Sequence, residues 1–310
     1  MTDLDLSPHA AGNTGSAFVH SFDGQQPGPH AMIVALVHGN ETCGAIALDY
    51  LLRKAIRPSR GKLTLRFANT DAFARYDQDN PGAARFVDED MNRLWDAATL
   101  DGPGDSIELR RARALAPVVE TADFLLDLHS MQFRGSPLIL AGAHPKGRAL
   151  ARRIGLKAPV IVDHGHSAGT RLRDFAGFAD GRDPRTALLV ECGQHRDGES
   201  VTVALYCALR FIQAAGVVAA EAIAPHLAAP PSPEGADRTI EVTDVITSQS
   251  GAFSFAEPLG GLTVVKRRGT LIGHDGDRPI RTPYDDCYLI LPARFAGSGQ
   301  TAVRLGRVIE

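Results

Sequence analysis

Four acid or imidazole groups stand at or just past the ends of three apolar runs in this chain. His38 and Glu41 follow Ala31–Val37 as His-Gly-Asn-Glu, His129 lies at the end of Phe124–Ser130, and Glu191 at the end of Thr186–Cys192. In open α/β sheets, ligands bind in the crevice outside the carboxyl ends of the strands, so groups delivered there by separate strands can converge on one point. Two histidines and one carboxylate make the ligand set of hydrolytic zinc, with the fourth position open to water. His38 and Glu41, three apart on a turn entering a helix, can reach the same ion. A His-x-x-Glu pair alone is common by chance; the shared position on different strands is what carries the signal. Asp127 precedes His129 by two, on the same side of a regular strand, where a carboxylate can orient a metal ligand. Between the runs lies Ala84–Asp96, ARFVDEDMNRLWD, with Arg85, Asn92 and Arg93. A guanidinium beside an amide suits bidentate recognition of a carboxylate.

A rival chemistry is present as well. Gly165-His166-Ser167-Ala168-Gly169 has the form of the serine-hydrolase nucleophile elbow, and His195, His226 or His274 could complete a triad. The elbow should follow its strand directly, however, and Asp163 and His164 would then occupy the strand's last, normally buried positions. It would also leave the other strand-end groups unexplained. His164 and His166 read instead as loop residues bordering the cleft, without a metal role. His195, four after Glu191, could line the pocket. Cys43 and Cys192 flank the site and read as buried, inert thiols.

The elements that would position these groups follow from hydrophobic pattern. Six short runs read as strands: Ala31–Val37, Leu63–Asn69, Phe124–Ser130, Pro137–Gly142, Pro159–Asp163 and Thr186–Cys192. Runs apolar on both faces suit strands covered by helices on each side. Their alternation with helical stretches predicts an α/β fold with a mixed central sheet flanked by helices. A long helix is expected from about Glu199 to Ile223, and its apolar character leaves room for packing against a second copy. The Pro- and Ala-rich stretch 224–239 reads as a linker without helix. Residues 240–310 are short β-prone pieces with an Asp275-Gly276 turn signal, expected to form a small C-terminal all-β domain after a catalytic domain of residues 1–223.

At 310 residues the chain has room for about two domains of ~150 residues. Its 44% hydrophobic and 22% charged residues exclude a mainly disordered protein. A net charge of −3 gives no electrostatic reason to bind nucleic acid or anionic membrane. No apolar run approaches the ~20 residues of a membrane span, and the acidic amino terminus lacks a secretory pattern. Four widely spaced cysteines suit reduced thiols in cytoplasm.

HGNE, RFVDEDMNR, DLHS and VECG, in this order, resemble the succinylglutamate desuccinylase/aspartoacylase family of the zinc carboxypeptidase-like superfamily. The resemblance covers roughly residues 30–225, and the trailing β domain also fits it. It implies one Zn2+ held by His38, Glu41 and His129, Arg85 stabilising an oxyanion, Asn92 and Arg93 holding a substrate carboxylate, and Glu191 as general base. It implies hydrolysis of the amide of a small N-acyl amino acid, with zinc carboxypeptidase action on peptides as the neighbouring alternative. Aspartoacylases use a further arginine shortly before the catalytic glutamate; Arg182 and Arg185 both lie near that place. VECGQH departs from the aspartoacylase continuation Gly-Pro-Gln, which leaves the acyl group and amino acid open. A β domain overhanging the cleft would admit small substrates and exclude chains; Gly269–Pro292 is the expected overhang, with Tyr284 or Tyr288 as residues that could reach the pocket.

Overall fold

Each of the six apolar runs overlaps a strand in the computed structural model, which describes residues 4–166, 168–229 and 238–310. The strands of the first two thirds are β1 (Val19–Asp23), β2 (Gln26–Ala35), β3 (Arg60–Phe67), β4 (Phe124–Met131), β5 (Leu138–Leu140), β6 (Val160–Val162) and β7 (Thr186–Gln194). Helices α1 (Thr42–Arg53), α2 (Thr70–Phe73), α3 (Ala97–Leu100), α4 (Ile107–Val119), α5 (Pro145–Ile154), α6 (Gly198–Ala214) and α7 (Ala220–Ile223) lie between and after them. The last third supplies β8 (Thr239–Thr247), β9 (Phe253–Phe255), β10 (Leu262–Val265), β11 (Leu271–Asp275), β12 (Arg278–Arg281), β13 (Cys287–Ile290) and β14 (Thr301–Val308).

Eleven strands form one mixed sheet in the order β1-β3-β2-β4-β7-β5-β6-β8-β14-β13-β10, and β12-β11-β9 form a separate antiparallel sheet. The centre, β3-β2-β4-β7, is parallel. Alternation along β2 explains the two-sided burial: Ala31, Ile33 and Ala35 join α1, α5 and α6 in one core, while Met32 and Val34 join α4, Trp95 and Phe178 in another. Gly44 lets α1 lie close to the sheet, since a Cβ there would meet Leu128 Cβ at 2.7 Å and Ala35 Cβ at 3.0 Å.

The C-terminal segment is all β as expected, with β12-β11-β9 as its small antiparallel sheet, while β8 runs parallel to β6, so that β8, β14, β13 and β10 also continue the central sheet. Two expectations change. The expected helix 199–223 is two pieces. α6 ends at Ala214, Gly216 takes φ +77°, and Val217 and Val218 enter the core before α7 begins. The start of the expected linker is a helical turn, Ala224–His226, tied by a 2.9 Å hydrogen bond between His226 Nδ1 and Tyr50 Oη; residues 230–237 lie outside the described residues. The Asp275-Gly276 signal does mark the β11–β12 hairpin, with Gly276 at φ +59°. Among the described residues no helix is long and apolar enough to cross a membrane.

Candidate metal centre and active-site cavity

His129 and Glu191 face each other because β4 and β7 are paired in parallel with those two residues in register. Leu126 and Leu128 on β4, and Leu188 and Val190 on β7, are buried in the helix-covered core. The alternate residues Asp127, His129 and Glu191 turn to the opposite face, where His129 and Glu191 line a cavity.

His38 and Glu41 arrive from the carboxyl end of β2. The chain leaves the strand through Leu36 at φ +59° and enters α1 with Glu41 at the N-cap. An N-cap side chain ordinarily accepts a helix N–H; Glu41 makes no such bond. Its Oε2 accepts instead from the Ser130 amide at 3.0 Å, and its two oxygens lie 2.8 Å from His38 Nδ1 and His129 Nδ1. Gly39 keeps the turn tight: its amide donates to the Arg85 carbonyl at 3.1 Å, and a Cβ would sit 2.4 Å from the Phe73 nitrogen.

The donor atoms of His38, Glu41 and His129 all lie within 4.8 Å of one another, and all three residues are buried. Each imidazole turns Nδ1 toward Glu41 and its other nitrogen toward an outer carboxylate. His38 Nε2 is 2.9 Å from Asp90 Oδ1, and His129 Nε2 is 2.8 Å from Asp127 Oδ2. This is the donor chemistry of a divalent ion, with an outer carboxylate close to the far nitrogen of each imidazole, so the residues present fit zinc. Burial opposes charge on Glu41, but the two imidazoles outweigh it and hold the carboxyl well below the usual carboxylate range. Burial likewise opposes charge on His129, and Asp127 followed by Glu41 lifts it well above an ordinary imidazole. Replacing Asp127 by Asn is expected to weaken zinc affinity about 10- to 100-fold, read by competition with a chelating indicator. Unchanged affinity would make Asp127 a bystander.

Glu191 sits beside this cluster with different surroundings. Its Oε2 is buried and without a hydrogen-bond partner. Burial, then the Glu41 charge, pushes its pKa up to about 8, the range in which a carboxyl can both take and give a proton near neutrality. Arg85 reaches over the same cluster: Nη1 is 3.2 Å from Glu41 Oε1, and Nη2 is 2.9 Å from His38 Nε2 and 3.3 Å from Asp90 Oδ2.

These groups open on a cavity of about 660 Å³, which Asn92 and Arg93 also line. The Asn92 Oδ1 accepts the Leu172 amide at 2.9 Å, and Arg93 Nη1 donates to the Asn92 carbonyl at 2.7 Å. Arg182 and Arg185 are not brought here. Arg182 is exposed, and Arg185, at the amino end of β7, forks onto Asp183 and donates to the Glu120 carbonyl. Five residues of strand, 186–190, lie between Arg185 and Glu191. The far wall comes from the C-terminal segment, but from Gly261, Leu291–Phe295, Gln300, Thr301 and Arg304. Neither tyrosine of the expected overhang lines it: Tyr288 is buried and bonded to Arg238, and Tyr284 to Thr243.

His166 lines the cavity and His164 an adjacent one, while His195 lines the cavity with its Nδ1 2.8 Å from Ser130 Oγ. Ser167 lies outside the described residues. The elbow reading needs strand, turn and helix in sequence; β6 ends at Val162, and the next helical turn, Leu172–Asp174, is a single 3-10 turn. Cys43 and Cys192 are buried free thiols, as expected. Arg171 and Arg304 are among the cavity residues that escaped the sequence reading. Arg171 carries no spacing signal. Arg304 does carry one, a lone cation inside the otherwise apolar run Ala302–Leu305.

A family model described as the succinylglutamate desuccinylase/aspartoacylase catalytic domain matches residues 27–194. A probable aspartoacylase of Parasynechococcus marenigrum is 32% identical over 149 residues, 45% of this chain and 47% of that protein. A succinylglutamate desuccinylase of Pseudomonas aeruginosa is 29% identical over 205 residues, 57% of this chain and 55% of its own. The chain thus spans about half the length of these two curated relatives. The X-ray structure of a succinylglutamate desuccinylase from Vibrio parahaemolyticus shares the fold, with a TM-score of 0.70 at 20% identity, over 95% of this chain and 87% of that one.

Proposed function

Because the chain belongs to the succinylglutamate desuccinylase/aspartoacylase family, we propose that it hydrolyses the amide bond of an N-acyl amino acid with one zinc ion held by His38, Glu41 and His129, releasing a carboxylate and a free amino acid. The observation that carries this reading is the convergence of two Nδ1 atoms and one carboxylate beside Glu191, a fourth group held ready for proton transfer. Zinc in such a setting supplies Lewis acidity and makes hydroxide available near pH ~7. Glu191 accepts the proton of the attacking water and passes it to the departing amine. Arg85 donates to the oxyanion that develops on the amide carbonyl, and Asn92 and Arg93 hold the substrate carboxylate so that the amide is presented for attack. Arg85→Gln is expected to lower kcat about 100- to 1000-fold with little change in KM; a loss confined to KM would assign it to ground-state binding.

Residues 1–223 in this reading carry the chemistry, and residues 240–310 close one side of the cleft. The wall of Leu291–Phe295 supports small substrates over the alternative of a carboxypeptidase acting on chains. The test is a panel offered to the zinc-loaded protein: N-acetyl and N-succinyl amino acids, peptides with free carboxyl termini, and an activated ester. The expected result is kcat/KM above about 10⁴ M⁻¹s⁻¹ for at least one acyl amino acid and far less for peptides. Peptides as the better substrates would favour the carboxypeptidase. Zinc-independent ester hydrolysis alone would end both metalloenzyme readings.

A further inference from the structure

We propose that His195 is a substrate-contacting donor: its Nε2–H meets the acyl side of the substrate, on the oxygen that hydrolysis adds there, while Arg85 meets the other oxygen. This rests on the deacylase reading above for the reaction, though not for the position of the ring's proton.

β7 does not run regularly past Glu191. His129 pairs with Glu191 and Met131 with Gln194, so two steps along β4 match three along β7, and Gly193 takes φ +127° within this bulge. A regular strand would face His195 the same way as Glu191, whereas a bulge re-aims the side chains that follow it. Here the His195 amide donates to the Met131 carbonyl at 2.8 Å, and its Nδ1 lies 2.8 Å from Ser130 Oγ. The Ser130 amide in turn donates to Glu41 Oε2. The ring is thus mounted on the strand end that already fixes a carboxylate of the candidate metal centre.

The serine decides where the ring's proton sits. A hydroxyl has one hydrogen to donate. Ser130 is buried, and among the described residues His195 Nδ1 is the one acceptor within reach of its Oγ. Donation from Ser130 leaves Nδ1 bare and puts the proton of the neutral imidazole on Nε2. Burial lowers the His195 pKa below that of an ordinary imidazole, against the pull of Glu41, which keeps the ring neutral at pH 7. The ring lines the active-site cavity, and its Nε2 is buried without a hydrogen-bond partner. A buried donor left unpaired is destabilising, and an oxygen on an occupant of the cavity removes that cost.

Position along β7 says which end of the substrate this is. Arg93 belongs to the amino-terminal side of Glu191: a Cβ on Gly169 would sit 2.9 Å from Arg93 Cβ, and Gly169 shares a second cavity with Thr186 and Ala187, where β7 starts. His195 stands just past the carboxyl end of the same strand. A substrate held by its carboxylate at Asn92 and Arg93, with its amide beside Glu191, therefore carries its acyl group toward His195. The acyl carbon leaves as a carboxylate with two oxygens. Arg85 meets one, and a fixed N–H donor suits the other.

The experiment uses the zinc-loaded protein. Long-range 1H–15N NMR correlations of the His195 ring at pH 7 are expected to place its proton on Nε2, and that signal is expected to shift when acetate is added. A proton on Nδ1, or no shift, overturns the proposal. In turnover of the acyl amino acid that the panel selects, His195→Phe is expected to lower kcat on the order of 10- to 100-fold with little change in KM. His195→Gln, which can present an N–H near the Nε2 position, is expected to recover part of that loss. Both variants take the imidazole away from Ser130, so a merely structural histidine would lose equally in both, and that result overturns the proposal. Inhibition by the released acid is expected to weaken about 10-fold in His195→Phe, with inhibition by the released amino acid unchanged. Zinc content is expected to stay at one per chain in both variants; its loss from both would make His195 a support of the metal centre and overturn the proposal. The acetate-dependent Nε2 signal with no acyl amino acid turned over would keep this donor and overturn the deacylase reading instead.

Discussion

Glu191→Gln is expected to retain one zinc per chain and to lose about 10²- to 10⁴-fold in kcat. The side chain is outside the His38–Glu41–His129 donor set, and glutamine fills the same space, so the loss isolates proton transfer. Metal content and single-turnover rates on the same preparation check it; a variant with more than about a tenth of the wild-type kcat would remove Glu191 from the mechanism. A second readout comes from the metal-free protein. The folded-state pKa of Glu191 is raised from 4.5 to about 8, first by burial and then by Glu41. Between those values the folded chain keeps a proton that the unfolded chain gives up. The resulting stabilisation is complete below the unfolded value and is lost as pH rises through about 8. Urea midpoints of the wild type should therefore fall between pH 5 and pH 8.5 more steeply than those of Glu191→Gln.

Replacing His129 by Ala is expected to abolish both zinc retention and turnover, a larger effect than any other single change. It also leaves Glu41 and Asp127 buried without their shared imidazole, and breaking a buried pair in this way destabilises by roughly 3–5 kcal/mol. Chelation of the wild type should remove activity while sparing those protein–protein contacts, and added zinc should restore it. Full activity after exhaustive chelation would end the metalloenzyme reading, whatever the fate of His129→Ala.

The residues that the sequence made legible are those fixed by their distance from a strand end. His38, Glu41, His129 and Glu191 needed only the carboxyl ends of three buried strands, and apolar runs of strand length mark those ends plainly. β1 was hidden because Val19–Asp23 reads VHSFD, with too few apolar residues to stand out. The end of α6 was hidden because Val217 and Val218 continue the apolar pattern while Gly216 turns the chain. Arg182 and Arg185 looked close to Glu191 in sequence, but they precede the whole length of β7 and fall at its other end. Arg304 and Arg171 reach the cavity only through tertiary structure, the first because β8 docks on β6 and brings β14 with it. A lone cation in an apolar run, as at Arg304, marks a residue as unusual, but when sheet extension delivers it from more than a hundred residues away no local pattern says which site it joins.

The register of β4 against β7 makes the central ruler of the site a property of backbone hydrogen bonding. His129 and Glu191 are neighbours across adjacent parallel strands, whose separation is held near ~4.8 Å by the ladder itself. Surface segments such as 291–300 can therefore lengthen, shorten or change composition without disturbing the spacing between His129 and Glu191. On the proposed reading, a lineage built on this scaffold could exchange one substrate for another by altering its rim, while that spacing is inherited unchanged.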